Sequence, residues 1–179
     1  MDIYKLKWTR LQYRIFSLLC IRAGEELSQR EIAQLLKVSP TAVAKSLTLL
    51  NKNNLITIKK TKNINFVEFN GDERKAIKLK QAENLRNIYL SGLSDYLEEN
   101  LAGGTIILFG SYSRGEDVKN SDIDIAVIER KEKPLKLKEF GLILNREIIV
   151  QFYDSWKNIH KHLKNNILNG IILAGSVEL

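Results

Sequence analysis

The chain of 179 residues contains one cysteine, two prolines and no long hydrophobic run. Because Cys20 is the only cysteine, an intramolecular disulfide is excluded, and a small buried side chain in the first helix is expected. No segment approaches the roughly 18 consecutive apolar residues of a membrane span, and the first residues lack the layout of a secretory signal. We therefore expect a cytoplasmic protein without a membrane partner.

Positive charge is concentrated at one end of the chain. Residues 1–70 contain 12 Lys/Arg and 5 Asp/Glu, so their net charge of +7 equals that of the whole chain. The balance is −1 over residues 71–100 and +1 over residues 101–179. A charge needed only for solubility has no reason to be confined in this way. A separate basic N-terminal domain that contacts the phosphates of nucleic acid is therefore predicted.

Residues 1–70 have the pattern of three helices and a hairpin. Apolar residues at helical spacing predict the first helix over residues 8–22. Ser28 and Glu31 have capping-box spacing at the start of the second helix, and Ser39-Pro40 starts the third. Two strand-like runs and the polar turn between them complete the domain. These are Leu55–Lys60, Ile64–Phe69 and Thr61-Lys62-Asn63.

This order of elements resembles a winged helix-turn-helix domain, and the resemblance implies that residues 1–70 bind DNA. The third helix would enter the major groove, and the lysines of the hairpin would meet phosphates. The residues assigned to DNA in this way are Thr41, Lys45 and Ser46 in the helix, and Lys59, Lys60 and Lys62 in the wing. The alternative is a winged helix that serves as a protein-docking or dimerisation module.

A helical pattern returns over residues 71–100, which are predicted to link the two domains. Apolar residues recur at helical spacing along this segment. Gly92 interrupts the pattern and predicts either a kink or a break between two helices.

Two aspartates and a Gly-Ser pair carry the clearest chemical signal. Gly110-Ser111 ends an apolar run, and Asp122 and Asp124 lead directly into a second one. Because side chains alternate along a strand, both carboxylates project from one face. Two adjacent carboxylates repel each other unless a cation lies between them. This pattern predicts a divalent metal, Mg²⁺ or Mn²⁺, at Asp122 and Asp124.

The Gly-Ser pair and a nearby arginine supply groups suited to phosphate. Gly110 allows a close approach of the backbone to a ligand. Ser111 offers a hydroxyl and amide donors, and the planar fork of Arg114 matches phosphate oxygens. A phosphate-binding turn next to a metal-binding strand indicates nucleotidyl transfer.

These motifs resemble the minimal nucleotidyltransferases of the DNA polymerase beta superfamily. The resemblance rests on residues 110–115 (GSYSRG) and 121–125 (SDIDI), with ten residues between Ser111 and Asp122, and extends over residues 101–179. It implies a mixed sheet with flanking helices, and hence an α+β fold for the chain. It also implies that Asp122 and Asp124 are catalytic and hold the metal. Gly110, Ser111 and Arg114 would then bind the NTP substrate.

One position departs from the family pattern. The family places a third carboxylate on the following strand, predicted here over Glu147–Tyr153, and this chain has Ile149 at that position. Glu147 lies on the same strand face and is a candidate substitute. Two interpretations remain open. Either catalysis proceeds in an altered form, or the fold is kept for binding after activity has been lost.

Two functions follow from these interpretations. The first is a metal-dependent nucleotidyltransferase that transfers NMP from NTP to a protein or nucleic-acid hydroxyl, tethered to a DNA-binding domain. The family includes antitoxins that attach AMP to a toxin, which implies a toxin-like protein partner. The second is a transcriptional regulator whose degenerate nucleotidyltransferase domain senses nucleotide. A homodimer is expected in both cases, because winged helices commonly match operator symmetry.

Overall fold

A computed structural model describes residues 7–62 and 64–177, which form two compact units of an α+β chain. The first unit comprises residues 1–80 and the second residues 81–179. The segment predicted as a linker, residues 71–100, is therefore divided between the two units. Asn63 of the predicted hairpin turn lies outside the described residues. In the described part of the chain, no helix is long and apolar enough to cross a bilayer.

The first unit is a winged helix-turn-helix. Its elements are α1 (Arg10–Ile21), β1 (Leu27–Ser28), α2 (Gln29–Leu36), α3 (Pro40–Lys52), β2 (Ile56–Lys60) and β3 (Asn65–Phe69). The strands form an antiparallel sheet in the order β1-β3-β2. The three helices and the hairpin confirm the predicted pattern. The two-residue strand β1 was not expected from the sequence, because a segment so short has no periodicity of its own.

Side-chain caps fix where the helices of this unit begin. The Ser28 hydroxyl accepts a hydrogen bond from the Glu31 amide, and the Glu31 carboxylate accepts one from the Ser28 amide at 2.7 Å. The bond from the Ser28 amide is the main reason that the pKa of Glu31 is lowered. Ser39 caps α3, with Pro40 in the first turn. Both predicted starts are confirmed, and Thr9 with Gln12 forms a further capping box at α1.

The second unit is a four-stranded mixed sheet with flanking helices. Its strands follow the order β6-β5-β4-β7, with β5 and β6 parallel and the other pairs antiparallel. The helix α4 (Arg74–Leu90) begins in the first unit and continues into the second. The other elements are α5 (Leu93–Asn100), β4 (Thr105–Phe109), α6 (Gly110–Arg114), β5 (Ile123–Ile128), α7 (Lys138–Leu144), β6 (Ile148–Tyr153), a 3-10 turn (Trp156–Asn158), α8 (Lys161–Leu168) and β7 (Ile171–Ala174).

Three sequence predictions in this unit are confirmed. Gly92 separates α4 from α5, and its φ of +76° explains why a glycine stands at the break. The apolar runs on either side of the Gly-Ser…Asp-x-Asp stretch are the central strands β4 and β5. The apolar run near the end of the sequence, within Asn169–Gly175 (NGIILAG), predicts a final edge strand, and it forms β7 at one edge of the sheet.

Strand alternation divides the core of this unit into two layers. One face of the sheet, with Leu108 and Ile125, packs against residues of α4, α5 and α7. The other face, with Phe109 and Ala126, packs against Trp156, Ile159 and Ile167. Asp124 pairs with Phe109 in the register of β4 and β5, so it belongs to the second face. The candidate site therefore lies where this face reaches the end of the sheet.

Candidate functional site

The two aspartates stand at the start of a central strand. Asp122 is exposed and immediately precedes β5, whereas Asp124 is half-buried within it. Asp124 pairs with Phe109 of β4 on one side and with Ile149 of β6 on the other. Since residues two apart in a strand share a face, both carboxylates are directed to the same side of the sheet. The predicted pairing of Asp122 and Asp124 is therefore present in the fold.

Gly110 brings the Gly-Ser segment against Asp124. Its φ is +75°, a conformation that residues with a side chain rarely adopt. A Cβ atom at this position would overlap the Oδ2 atom of Asp124. The backbone next to the carboxylate is thus closer than any residue other than glycine permits. This close approach explains why the chain places glycine here.

The Gly-Ser segment is a short helix, α6, held at its C-terminal end by two amides from α4. The Ser113 hydroxyl donates to the Gly110 carbonyl at 2.9 Å within the helix. Asn84, which is buried, donates from Nδ2 to the Tyr112 carbonyl at 2.9 Å. Gln81 donates from Nε2 to the Ser113 carbonyl at 2.8 Å. Neither amide was identified from the sequence, because both are about thirty residues away from the carbonyl that they bind.

Asn84 also belongs to a buried ionic cluster. Its Nδ2 donates to Asp117 Oδ1 at 2.7 Å, and Asp117 Oδ2 accepts from Arg146 Nη2 at 3.2 Å. The Asp117 and Arg146 side chains are 0% and 2% exposed, so water does not compensate their charges. Asp117 lies in the loop before Asp122, and Arg146 directly precedes Glu147. The cluster therefore fixes the approach of both chain segments to the end of the sheet.

Arg114 is oriented by two side chains. Its Nε donates to the Glu116 carboxylate at 2.7 Å, and its Nη1 donates to Asn166 Oδ1 of α8 at 2.9 Å. Burial and Asp122 raise the pKa of Asp124, and the positive charge of Arg114 partly opposes that rise. A phosphate that uses the full fork of Arg114 would have to displace Glu116.

The electrostatics of Asp124 favour a bound cation. Burial raises the pKa of Asp124, the negative charge of Asp122 raises it further, and Arg114 only partly opposes both effects. A divalent cation between the two carboxylates would remove this repulsion, and carboxylate oxygens are ligands that Mg²⁺ and Mn²⁺ accept. The donor set therefore fits the metal. Among the described residues, no third His, Cys, Asp or Glu joins the pair.

The position of the expected third carboxylate is occupied by Ile149. It is the direct neighbour of Asp124 across the parallel pair β5 and β6. Glu147 lies two residues earlier, where its carbonyl accepts a hydrogen bond from the Ile123 amide at 2.8 Å. Glu147 is thus beside Asp122 rather than beside Asp124. Glu147 and Asp122 line a cleft of about 700 Å³ at the end of the sheet.

The residues predicted to contact DNA differ in their exposure to solvent. Thr41 and Lys45 are exposed on α3, and Lys60 and Lys62 are exposed in the wing. The expectation that Ser46 faces outward is wrong. Ser46 is 8% exposed, and its hydroxyl donates to the Ala42 carbonyl. Its place among the buried residues follows helical spacing, since Val43, Ser46, Leu47 and Leu50 form one face of α3.

Lys59 is exposed but already paired. Its ammonium contacts Glu26 and Glu68, and the hydrogen bonds that it donates to these carboxylates, Glu26 first, raise the pKa of Lys59. Thr48 of α3 is exposed on the surface that carries Thr41 and Lys45, although the sequence argument did not include it.

Residues 90–174 match the model of the family described as the nucleotidyltransferase domain. This range contains α6, all four strands of the sheet and both aspartates. The matched range lies within the second unit, which is therefore similar to a nucleotidyltransferase domain. No curated protein matches the chain.

Two proteins with solved structures are similar to part of this chain. ZitR of Lactococcus lactis is 22% identical with a TM-score of 0.40, over 56% of this chain and 66% of that one. ZitR is described as a zinc-responsive MarR family member. The adhesin competence repressor AdcR of Streptococcus pyogenes is 19% identical with a TM-score of 0.41, over 54% of this chain and 69% of that one. The chain thus spans about two thirds of their length.

Replacing Gly110 with alanine should weaken nucleotide binding, because the added Cβ overlaps Asp124 in addition to straining the backbone. The Cβ of Gly110→Ala would displace the Asp124 carboxylate, so we expect affinity for a fluorescent NTP analogue with Mg²⁺ to fall by about tenfold or more. Gly92→Ala is the matched control, since Gly92 also has a positive φ but has open space around it. That variant should lose roughly 1 kcal/mol of stability and keep its affinity. Equal affinities of Gly110→Ala and the wild type would contradict this interpretation.

Asp124→Asn should stabilise the metal-free protein at neutral pH. Because the folded-state pKa of Asp124 is raised, its contribution to stability is present below the ordinary carboxyl pKa and is lost as the pH rises through the raised value. The neutral amide avoids that loss. We expect urea unfolding at pH 7 to show a gain below about 1 kcal/mol, since solvent screens this half-exposed group.

The gain of Asp124→Asn should shrink when the pH is lowered below the ordinary carboxyl range. Mg²⁺ should stabilise the wild type and have little effect on the variant. Asp154→Asn, which removes an exposed carboxylate outside the site, serves as the control. A destabilised Asp124→Asn protein at pH 7 would refute the predicted repulsion.

Proposed function

We propose that the protein is a metal-dependent nucleotidyltransferase that transfers NMP from NTP to an acceptor hydroxyl, tethered to a DNA-binding winged helix. The observation that carries this proposal is the pair of neighbouring carboxylates, Asp122 and the half-buried Asp124. The Gly110 backbone lies so close to Asp124 that only glycine fits at that position. The match of residues 90–174 to the nucleotidyltransferase family supports it, because the matched range contains both aspartates and the segment from Gly110 to Arg114.

Asp122 and Asp124 are the residues that would hold Mg²⁺ or Mn²⁺. When bound, such a metal neutralises negative charge on phosphate oxygens and polarises the phosphorus centre. No other described residue of the chain completes a three-carboxylate group, so the two aspartates would provide all the protein carboxylates at the metal.

The remaining residues of the site would bind and orient the triphosphate. The Gly110 backbone lies against the Asp124 carboxylate, and Ser111 next to it offers its hydroxyl and amide to phosphate oxygens. Arg114 would exchange Glu116 for phosphate oxygens while Asn166 keeps the guanidinium in place. Asn84 and Gln81 hold α6 through its carbonyls, which limits the movement of the phosphate-binding segment.

The test of this proposal is the transfer of label from NTP. Purified protein with Mg²⁺ and each of the four α-labelled NTPs should label an acceptor in a lysate of the native host. Asp122→Asn should reduce labelling by about a hundredfold or more, because it removes one of the two carboxylates that would hold the metal. Asp154→Asn should label as the wild type does. Undiminished labelling by Asp122→Asn would refute the proposal, and the labelled species would show whether the acceptor is a toxin-like protein or a nucleic acid.

A transcriptional regulator with a degenerate, nucleotide-sensing domain is the second candidate function. It is favoured by Ile149, an aliphatic neighbour of Asp124 where the family has a carboxylate. The basic surface of the first unit also favours it, with Thr41, Lys45, Lys60 and Lys62 exposed. In this function a homodimer would match the two-fold symmetry of an operator.

Binding to promoter DNA tests this second function. Affinity for the region upstream of its own gene should fall steeply with salt, and Lys45→Ala should reduce the slope of log K against log salt by about 0.9 if that lysine contacts one phosphate. Lys161→Ala, which removes an exposed cation from the second unit, should leave the slope unchanged. No shift of any duplex in low salt would exclude the regulator function and leave the winged helix as a docking module.

A further inference from the structure

The strand order places the groups of the candidate site on opposite sides of the two aspartates. β5 carries Asp124 and lies between β4 and β6 in the sheet. Gly110 follows the last residue of β4, and Glu147 precedes the first residue of β6. The phosphate-binding segment and Glu147 therefore flank the aspartate pair from its two sides.

This arrangement has a chemical consequence for the nucleotidyl transfer proposed above. In a displacement at phosphorus, the attacking and leaving oxygens are roughly in line. Residues that hold the leaving pyrophosphate must therefore lie opposite those that receive the acceptor. If Gly110, Ser111 and Arg114 hold the phosphates on the β4 side, the acceptor hydroxyl approaches from the β6 side.

A cleft of about 700 Å³ opens on the β6 side. Asp122 and Glu147 both line it, together with polar residues of the preceding loops and one side of α7. Gly110, Ser111, Arg114 and Asp124 do not line it. The cleft thus meets the metal-binding pair through Asp122 and is separate from the phosphate-binding segment.

Glu147 is the acidic residue lining this cleft that remains after Asp122 is assigned to the metal. The other ionisable residues of its lining are Lys119, Lys138 and Arg146, which are cations and cannot take up a proton. Glu147 is exposed and forms no ion pair or side-chain hydrogen bond with a residue of the described chain. Its backbone is nevertheless fixed, because its carbonyl accepts from Ile123 and the adjacent Arg146 is anchored to Asp117.

We propose that this cleft is the acceptor subsite, and that Glu147 takes the proton from the acceptor hydroxyl. The assignment rests on the proposed nucleotidyl transfer. The hydroxyl oxygen forms a bond to the α-phosphorus, and the bond from that phosphorus to the bridging oxygen of pyrophosphate breaks. The hydroxyl proton passes to the Glu147 carboxylate, and pyrophosphate leaves on the side of Gly110. Glu147 thereby supplies the base without occupying the metal-binding position at Ile149.

Water can replace the unidentified acceptor in the test. Wild-type protein with Mg²⁺ and NTP should slowly release pyrophosphate and NMP, and Glu147→Gln should lower that rate by about a hundredfold or more. The affinity of Glu147→Gln for a fluorescent NTP analogue should equal that of the wild type, because the carboxylate acts on the acceptor. In Glu147→Ala, added formate should restore part of the rate.

Glu139→Gln is the matched control, since Glu139 is exposed on α7 but does not line the cleft. A Glu147→Gln protein that releases pyrophosphate as fast as the wild type would overturn the assignment of the base. Loss of NTP affinity in that variant would also overturn it, because Glu147 would then serve the nucleotide or its metal. If the wild type itself releases no pyrophosphate and labels no acceptor, the proposed transfer fails, and the assignment fails with it.

Two neighbouring positions on α7 test the cleft separately from the base. Leu142 lines the cleft and is 70% exposed, whereas Ile143 is 62% exposed and does not line it. Leu142→Trp should lower transfer to the acceptor in lysate severalfold while pyrophosphate release to water continues. Ile143→Trp should leave both reactions unchanged. Equal transfer by the two tryptophan variants would overturn the assignment of the cleft.

Discussion

The buried ion pair between Asp117 and Arg146 is the interaction on which the geometry of the second unit depends. It joins the loop that leads to Asp122 to the residue before Glu147. Asn84 extends the connection to α6 by donating to both Asp117 and the Tyr112 carbonyl. Breaking such a pair by removing one partner typically costs roughly 3–5 kcal/mol, because a charge is left buried without compensation. One cluster thus sets the positions of three segments that meet at the candidate site.

Much of the fold could be predicted from local signals. Helix starts follow from the capping residues Ser28 and Ser39, and the break between α4 and α5 follows from Gly92. The central strands follow from the apolar runs beside the Gly-Ser and Asp-x-Asp motifs. Each of these features depends on residues within a few positions of one another, so it can be predicted without knowing which distant segments come into contact. The same holds for the shared strand face of Asp122 and Asp124.

The features that were missed depend on contacts between distant segments. Asn84 and Arg146 acquire their roles only when α4, the loop after α6 and the start of β6 come together. The pairing of Lys59 with Glu26 and Glu68 likewise joins different segments of the first unit. Ser46 is a different case. Its helical spacing from Val43 and Leu50 already indicated the buried face, and its polar side chain obscured that pattern.

The two carboxylates around Lys59 also affect how the wing would respond to an approaching anion. A phosphate that recruits Lys59 leaves Glu26 and Glu68 without their cation, and both then repel the phosphate at short range. Approach is favourable only where another contact offsets that repulsion. The exposed Lys60 and Lys62 near the tip of the hairpin therefore attract anions. The carboxylates around Lys59 repel any anion that makes no further contact. Such a surface discriminates among ligand geometries more strongly than it adds to overall affinity.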